Sequence, residues 1–347
     1  MTTFNDLVDR SWSGNRLFNV LLELTYRCNL DCFFCYNDLG LRGTPLTFQH
    51  YETLLRDLAS MNVLTLVLSG GEPLAHPDFF RIGALARELG FVVRVKSNGH
   101  ALRGELARRL RDEVDPFVVE VSLHGANAAT HDRQTRVAGS FDRLLPNIAE
   151  LKALGIHVKV NSTLTRWNED EIAEMFALTD SLGVPLRFDL QVSPRDDGDR
   201  TPLTIAPTRA GIERLMRVSD ARSGGPAPMQ PAIDDDMPAP STDKHCGAGS
   251  AGIAIDPYGN VYPCVQWRRA VANLHEQSIL EIWGVNEGLE EIRRTTVAVR
   301  GMVAAHPNGK LLNFCPGLAE VMTGSAMKVP REVEEQAEVV RDVTPSS

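Results

Sequence analysis

The chain has 347 residues, 43% hydrophobic and 23% charged, the balance of a soluble globular protein with room for one large or two medium domains. Its net charge is −9, from 36 Lys and Arg against 45 Asp and Glu, which argues against a nucleic-acid backbone as partner. The opening MTTFNDLVDR holds acids and no apolar run, and no stretch reaches the ~18 apolar residues of a membrane span, so no secretory signal or membrane partner is expected and the cytoplasm is the expected compartment.

Residues 1–16 read as an N-terminal tail. Short β-rich runs follow at 17–24, 63–69, 91–97, 117–123, 156–164 and 185–190. Between them, apolar residues recur at spacings of three and four, as helices require. Tyr51, Leu54, Leu55, Leu58 and Met61 share one face; so do Phe79, Ile82, Leu85, Ala86 and Leu89, and again Ile172, Met175, Phe176, Thr179 and Leu182. Leu102, Leu106 and Leu110 repeat the pattern more thinly. Strands alternating with helices predict an α/β fold, a parallel sheet covered by helices, with its chemistry at the C-terminal strand ends. The informative residues fall there: Cys28 after the first strand, Gly70-Gly71-Glu72-Pro73 after the second, Ser97-Asn98-Gly99 after the third, Ser122-Leu123-His124 at the end of the fourth and Asn161 in the fifth. His124 reads as a surface imidazole before a general base.

Residues 192–245 then turn Pro-, Gly- and Asp-rich, interrupted by one helical pattern near 207–219. A second unit follows. GIAIDPYGNVYPC reads as two strands around a Pro-Tyr-Gly-Asn turn, SILEIWGVNEGLEEIRRT as helix, and the charged tail after Pro330 as a loose helix.

Six cysteines in a cytoplasmic chain read as metal ligands or reactive thiols, since disulfides are rare there. They form two sets: Cys28, Cys32 and Cys35, spaced C-x3-C-x2-C, and Cys246, Cys264 and Cys315. Three thiolates do not close a tetrahedral zinc site, and no fourth ligand lies nearby. A four-iron cubane with one iron left open fits the spacing; zinc and merely buried thiols are the alternatives.

C-x3-C-x2-C followed by Tyr36, together with SGGEPL at 69–74, resembles the signature of the radical S-adenosylmethionine (SAM) enzymes. The resemblance covers residues 17 to about 190 and implies a partial (β/α)6 TIM-like barrel, over 17–215, followed by a linker at 216–241 and a small α+β domain at 242–347. It implies that Cys28, Cys32 and Cys35 hold a [4Fe–4S] cluster whose open iron is chelated by the methionine part of SAM, and that an electron then yields a 5′-deoxyadenosyl radical. The stretch Gly70, Gly71 and Glu72 would bind the methionine amino group, the glycines by letting backbone approach the ligand. Tyr36 would border the adenine, Ser97, Ser122 and Asn161 the ribose and carboxylate, and Arg136 would pair with that carboxylate in competition with Arg133.

GNVYPC followed by NLHEQSILEIW resembles the auxiliary iron–sulfur domains called SPASM and twitch. A full SPASM domain has seven cysteines; with only three after residue 240, one auxiliary cluster is expected, its fourth ligand absent or supplied by His245, Asp243 or substrate. Relatives with such domains mature ribosomal peptides, oxidise protein side chains, dehydrogenate small alcohols or trim tetrapyrroles. The favoured expectation is modification of a ribosomally made peptide or protein side chain, as a crosslink, thioether or epimerised centre. A small-molecule dehydrogenase or tetrapyrrole enzyme is the runner-up. A non-enzymatic Fe–S or zinc protein is a remote third, because SGGEP has no use in one. A flavodoxin or ferredoxin would supply electrons. With only 16 residues before the first strand, any peptide-recognition module is expected to be a separate protein or unnecessary.

Overall fold

Helix α1 (Phe4–Ser13) opens the computed structural model, which describes residues 4–38, 40–223 and 242–343. Six β/α units follow. They comprise β1 (Asn19–Glu23), α2 (Phe48–Ser60), β2 (Thr65–Ser69), α3 (Phe79–Glu88), β3 (Val92–Ser97), α4 (Gly104–Arg109) and β4 (Val118–Ser122). Then come α5 (Ala128–Thr135), α6 (Ser140–Ala153), β5 (Val158–Thr163), α7 (Ile172–Leu182), β6 (Leu186–Asp189) and α8 (Arg209–Ser223). The second unit holds β7 (Gly252–Ile255), β8 (Asn260–Tyr262), β9 (Ala272–Asn273), α9 (Ile279–Gly284), α10 (Glu287–Ala305), α11 (Pro316–Thr323) and α12 (Arg331–Val343).

The first six strands pair in parallel, as their alternation with helices requires. In the VVEVS stretch of β4, Val119 and Val121 join the main core under the covering helices, while Glu120 and Ser122 alternate to the other face. Along β5, Val158 and Val160 point into that helical layer, while Lys159, Asn161 and Thr163 line the inner face and stay half-buried. The helices end on local signals: Thr47 caps α2 in a reciprocal box with His50, and Gly183 closes α7 at φ +63°. Among the described residues no helix is long and apolar enough to cross a membrane.

Four features differ from the reading of the sequence. The described part of residues 1–16 is not a tail: α1 buries Val8 and Trp12 against Phe18 and Ala251, and Lys244 Nζ donates to the Trp12 carbonyl at 2.6 Å. The hairpin of β7 and β8 does not stand apart, since β7 pairs in parallel with β1 and gives one sheet ordered β6-β5-β4-β3-β2-β1-β7-β8-β9. The main apolar core accordingly runs from the barrel into Ile253, Ile255, Ile279, Ile282 and Leu289. The stretch read as one helix is two, α9 and α10, parted at Val285, which is 91% exposed; Asn286 caps the second by accepting from the Leu289 N–H. The tail helix α12 is packed, burying Val333, Ala337, Val339 and Val340 and pairing Asp342 with Arg209 of α8 at 2.6 Å. Of the linker, residues 216–223 continue α8, and 224–241 lie outside the described residues.

Candidate active site

β1 stops at Glu23 and the chain enters the loop carrying the first three cysteines. Backbone bonds tie this loop to α5, with Asp31 N–H donating to Thr135 O at 3.1 Å and Phe33 N–H to Gln134 O at 2.9 Å. Phe33 meets Trp167 at 4.9 Å and Phe34 meets His124 at 4.6 Å between ring centres, wedging the loop against the barrel rim. A tight turn brings Cys35 N–H onto Cys32 O at 3.1 Å. Cys28 Sγ accepts from Leu30 N–H at 3.4 Å and from Asn98 Nδ2 at 3.7 Å.

Burial pushes the Cys32 thiol up, and the neighbouring Cys35 and Cys28 push it further, so the three sulfurs are close enough to oppose one another's ionisation. Such a set is stable as thiolates only around a cation. Among the described residues no three Cys, His, Asp or Glu side chains converge as a single bound ion requires. Three thiols close enough to feel one another, with N–H donors on one sulfur, are a donor set of the kind that holds an iron–sulfur cluster.

The glycines after β2 have a nearer use than admitting a ligand. Gly70 sits at φ +128°, and a Cβ there would strike the Thr25 carbonyl oxygen. A Cβ on Gly71 would lie 2.6 Å from Arg27 O and 2.8 Å from Tyr26 O. That closeness lets Gly71 N–H donate to Thr25 O at 2.7 Å and Glu72 N–H to Arg27 O at 2.9 Å, which seats the segment leading into Cys28. The Glu72 side chain turns inward and is 3% exposed. It accepts from Ser97 Oγ at 2.9 and 3.1 Å, Asn98 N–H at 2.9 Å and Leu74 N–H at 3.2 Å. Burial nevertheless lifts its carboxyl to about 7.

Ser97 also accepts from Gly99 N–H at 3.0 Å, so its hydroxyl is engaged within the protein. Its neighbour Asn98, placed at the strand end by the sequence reading but given no role there, bonds Asn29 Oδ1 at 2.6 Å beside the contact to Cys28. Ser122 and Asn161 stand opposite each other in register on β4 and β5. Asn161 Nδ2 donates to Glu120 Oε2 at 2.8 Å, and Glu120 pairs with Arg94 at 2.6 Å and Lys96 at 3.5 Å. Burial alone would raise the Glu120 carboxyl, but Lys96 and Arg94 outweigh it and hold it low. Arg136, the left-handed cap of α5 at φ +58°, pairs with Asp31 at 3.3 Å and lies 4.7 Å over the Phe33 ring; Arg133 lies 4.1 Å over Trp167. His124 is not at the surface. It is buried against Phe34 and His131; burial, with the neighbouring His131 adding to it, pushes its imidazole down to about 3, so it stays neutral.

The thiols of the second cysteine set also lie close enough to feel one another. Burial raises the Cys246 thiol, and Cys315 and Cys264 add to it. Cys315 is pushed up to about 12 by burial and by Cys264, with Asp189 at the end of β6 adding to the rise. His245 Nε2 lies 2.8 Å from Phe314 O, which occupies that nitrogen, while Asp243 accepts from Thr242 Oγ1 at 3.2 Å. Tyr36 Oη donates to Glu23 at 3.4 Å, and its ring lies 5.7 Å from the guanidinium of Arg268, a residue of the second unit.

Comparison with known proteins agrees with this geometry. The radical SAM superfamily model matches residues 22–179, and the SPASM model, an iron–sulfur cluster-binding domain, matches residues 246–308. A PqqA peptide cyclase of Streptomyces rochei is 32% identical over 292 residues, covering 80% of this chain and 78% of that protein. An AdoMet-dependent heme synthase of Methanosarcina barkeri (strain Fusaro / DSM 804) is 27% identical, covering 78% of this chain and 83% of that one. The fold matches native anSMEcpe with bound AdoMet at a TM-score of 0.71 and 14% identity, over 94% of this chain and 95% of that one. The chain belongs to the radical SAM superfamily, and its cofactors are a [4Fe–4S] cluster, SAM and an auxiliary iron–sulfur cluster.

Proposed function

We propose that this enzyme modifies a ribosomally made peptide or protein side chain, forming a crosslink, a thioether or an epimerised centre. The observation that carries this reading is the unclosed sheet. β6 ends it with four residues that are all partly exposed, so an extended chain can reach the rim from the side. The relative named a peptide cyclase supports the same substrate class.

Cys28, Cys32 and Cys35 hold the SAM-binding cluster, and Cys246, Cys264 and Cys315 the auxiliary one. When bound, the first supplies the electron that cleaves the C5′–S bond of SAM to give a hydrogen-abstracting radical. The backbone at Gly70–Glu72 receives the methionine amino group, and Tyr36 borders the adenine. Ser122 and Asn161 face the ribose and carboxylate. Ser97 acts one step back by holding Glu72, and Arg136 acts through Asp31 by holding the cluster loop. A flavodoxin or ferredoxin delivers electrons in the cytoplasm, and a separate recognition protein presents the peptide.

A second reading has its own support. Lys96 of β3, beside Glu120, has a side chain 47% exposed, and a relative is named a heme synthase. Both suit a small carboxylate-bearing substrate such as a tetrapyrrole. To separate the two, the anaerobically reconstituted protein is given SAM, dithionite and synthetic peptides encoded beside its gene, deuterated at Cα and Cβ. Deuterium should pass into 5′-deoxyadenosine. Transfer from a side-chain-deuterated, propionate-bearing tetrapyrrole, and none from any peptide, would replace the first reading with the second.

Cys264→Ala should lower iron content by about half, because only one triad is broken. It should keep slow 5′-deoxyadenosine formation with dithionite, yet make little modified product. Full product from a Cys246/Cys264/Cys315 triple variant would show that the second set takes no part in turnover.

A further inference from the structure

The two cysteine sets are joined by a buried charged cluster that neither motif announces. Arg268 lies four residues beyond Cys264, and its side chain is 8% exposed. It grips Glu23 with both forks, Nη2 to Oε1 at 2.6 Å and Nη1 to Oε2 at 2.9 Å, and Glu23, the last residue of β1, has a fully buried side chain. Its Nε lies 2.9 Å from Asp196 Oδ2. The guanidinium also lies 5.7 Å from the Tyr36 ring and 5.1 Å from the Tyr262 ring.

From this cluster, bonds reach the first loop on both sides of its cysteines. Tyr26 Oη donates to Glu23 Oε2 at 2.9 Å, two residues before Cys28. Asp196 N–H donates to Tyr36 O at 2.8 Å, one residue after Cys35. On the other side, Trp267 N–H donates to Cys264 O at 3.1 Å and its ring is buried, which fixes the approach of Arg268. The two units are already joined by the β1–β7 ladder and a shared apolar core, so the ion cluster is not needed for attachment. A buried ion pair also adds little net stability compared with apolar side chains of the same shape. Its distinctive effect is to fix the guanidinium charge, faced by the Glu23 and Asp196 carboxylates, in a rigid bidentate fork between the two thiol sets.

We propose that Arg268 is a positioning residue that couples the two clusters, holding the Tyr26–Tyr36 loop in the geometry that binds SAM and raising the reduction potential of both clusters through its charge. This rests on the assignment of each cysteine triad to a cluster. Charge and geometry separate cleanly by substitution. Arg268→Gln removes both. Arg268→Lys keeps the charge but loses the fork. The double variant Glu23→Gln/Arg268→Gln removes the fork without changing net charge, and leaves no buried Glu23 carboxylate unpaired if the single change fails to fold.

The full chain is reconstituted anaerobically, iron is counted, and both EPR signals are recorded. Absence of two clusters in the unsubstituted protein defeats the triad assignment itself, and with it the coupling. With both present, redox titrations followed by EPR and equilibrium dialysis of SAM decide the matter. Arg268→Gln should make each cluster about tenfold harder to reduce at a given potential, a fall of about 59 mV for one electron. It should also weaken SAM binding about tenfold. Arg268→Lys should keep both potentials and still bind SAM weakly, as should the double variant. Unchanged potentials in Arg268→Gln, a shift in one cluster only, or full SAM affinity in the double variant would overturn the proposal.

Discussion

The Glu72→Ala protein is expected to lose most of its cluster content, not SAM affinity alone. If Glu72 only touched the cofactor, the change would spare the iron. But its carboxylate serves Ser97, the Asn98 N–H and the Leu74 N–H in a buried position. Removing it leaves the buried Asn98 N–H without a partner, a cost of about 1–3 kcal/mol, and the half-buried Leu74 N–H with it. Asn98 then loosens from Cys28 and Asn29, and the loop loses its register. Glu72→Gln keeps one acceptor oxygen and should assemble the cluster. The charge also sets a pH dependence. Burial raises the carboxyl from 4.5 to about 7, so the folded cluster-free chain holds a proton that the unfolded one has released. Stability from this group is therefore full below about 4.5 and declines as pH rises towards about 7. Urea melts of the cluster-free protein across that range should show the decline, and Glu72→Gln should flatten it. An Ala variant with full iron and only weaker SAM binding would make Glu72 a plain ligand contact.

Gly71→Val should be as damaging for a different reason. Its Cβ would press on the Arg27 and Tyr26 carbonyl oxygens, which belong to backbone and do not swing aside. Relief would break the bonds from Gly71 to Thr25 and from Glu72 to Arg27. Destabilisation of about 3 kcal/mol is expected from such overpacking, with the first cluster lost and the auxiliary one kept. Gly301→Ala is the matched control. It lies inside α10 with open space around its Cβ, and should stabilise by about 0.5–1 kcal/mol through helix propensity. Thermal melts and iron counts on the three proteins check both expectations. A Gly71→Val chain as stable and iron-rich as the parent would refute the contact argument.

What could be read from the sequence was local. The six strands and the rim residues follow from alternation over short windows and the first cysteine set from its spacing, whereas the barrel and the grouping of Cys246, Cys264 and Cys315 came from the resemblance to a known family. The split between α9 and α10 was also written locally, in the box of Ser278 with Glu281 and in the cap Asn286. What was missed depends on distant partners. Nothing near residue 252 says that β7 will pair with β1, and nothing in 1–16 says that Trp12 will find Ala251. Glu23, Asp196 and Arg268 are ordinary charged residues until the fold brings them together. His124 is buried only because His131 and Phe34 cover it, and α5 carries one and the cluster loop the other.

The place of β1 between β2 and β7 has a cost during synthesis. β1 leaves the ribosome early, while the strand that covers its other edge is made about 230 residues later. At ~5–20 residues per second, the nascent chain waits roughly 10–50 s with that edge bare. Its unpaired N–H and C=O groups are then open to any passing strand, its own or a neighbour's. Ribosome-arrested chains ending before residue 252 should bind chaperones or aggregate, and chains long enough for Gly252–Ile255 to have emerged from the ribosome should relieve both.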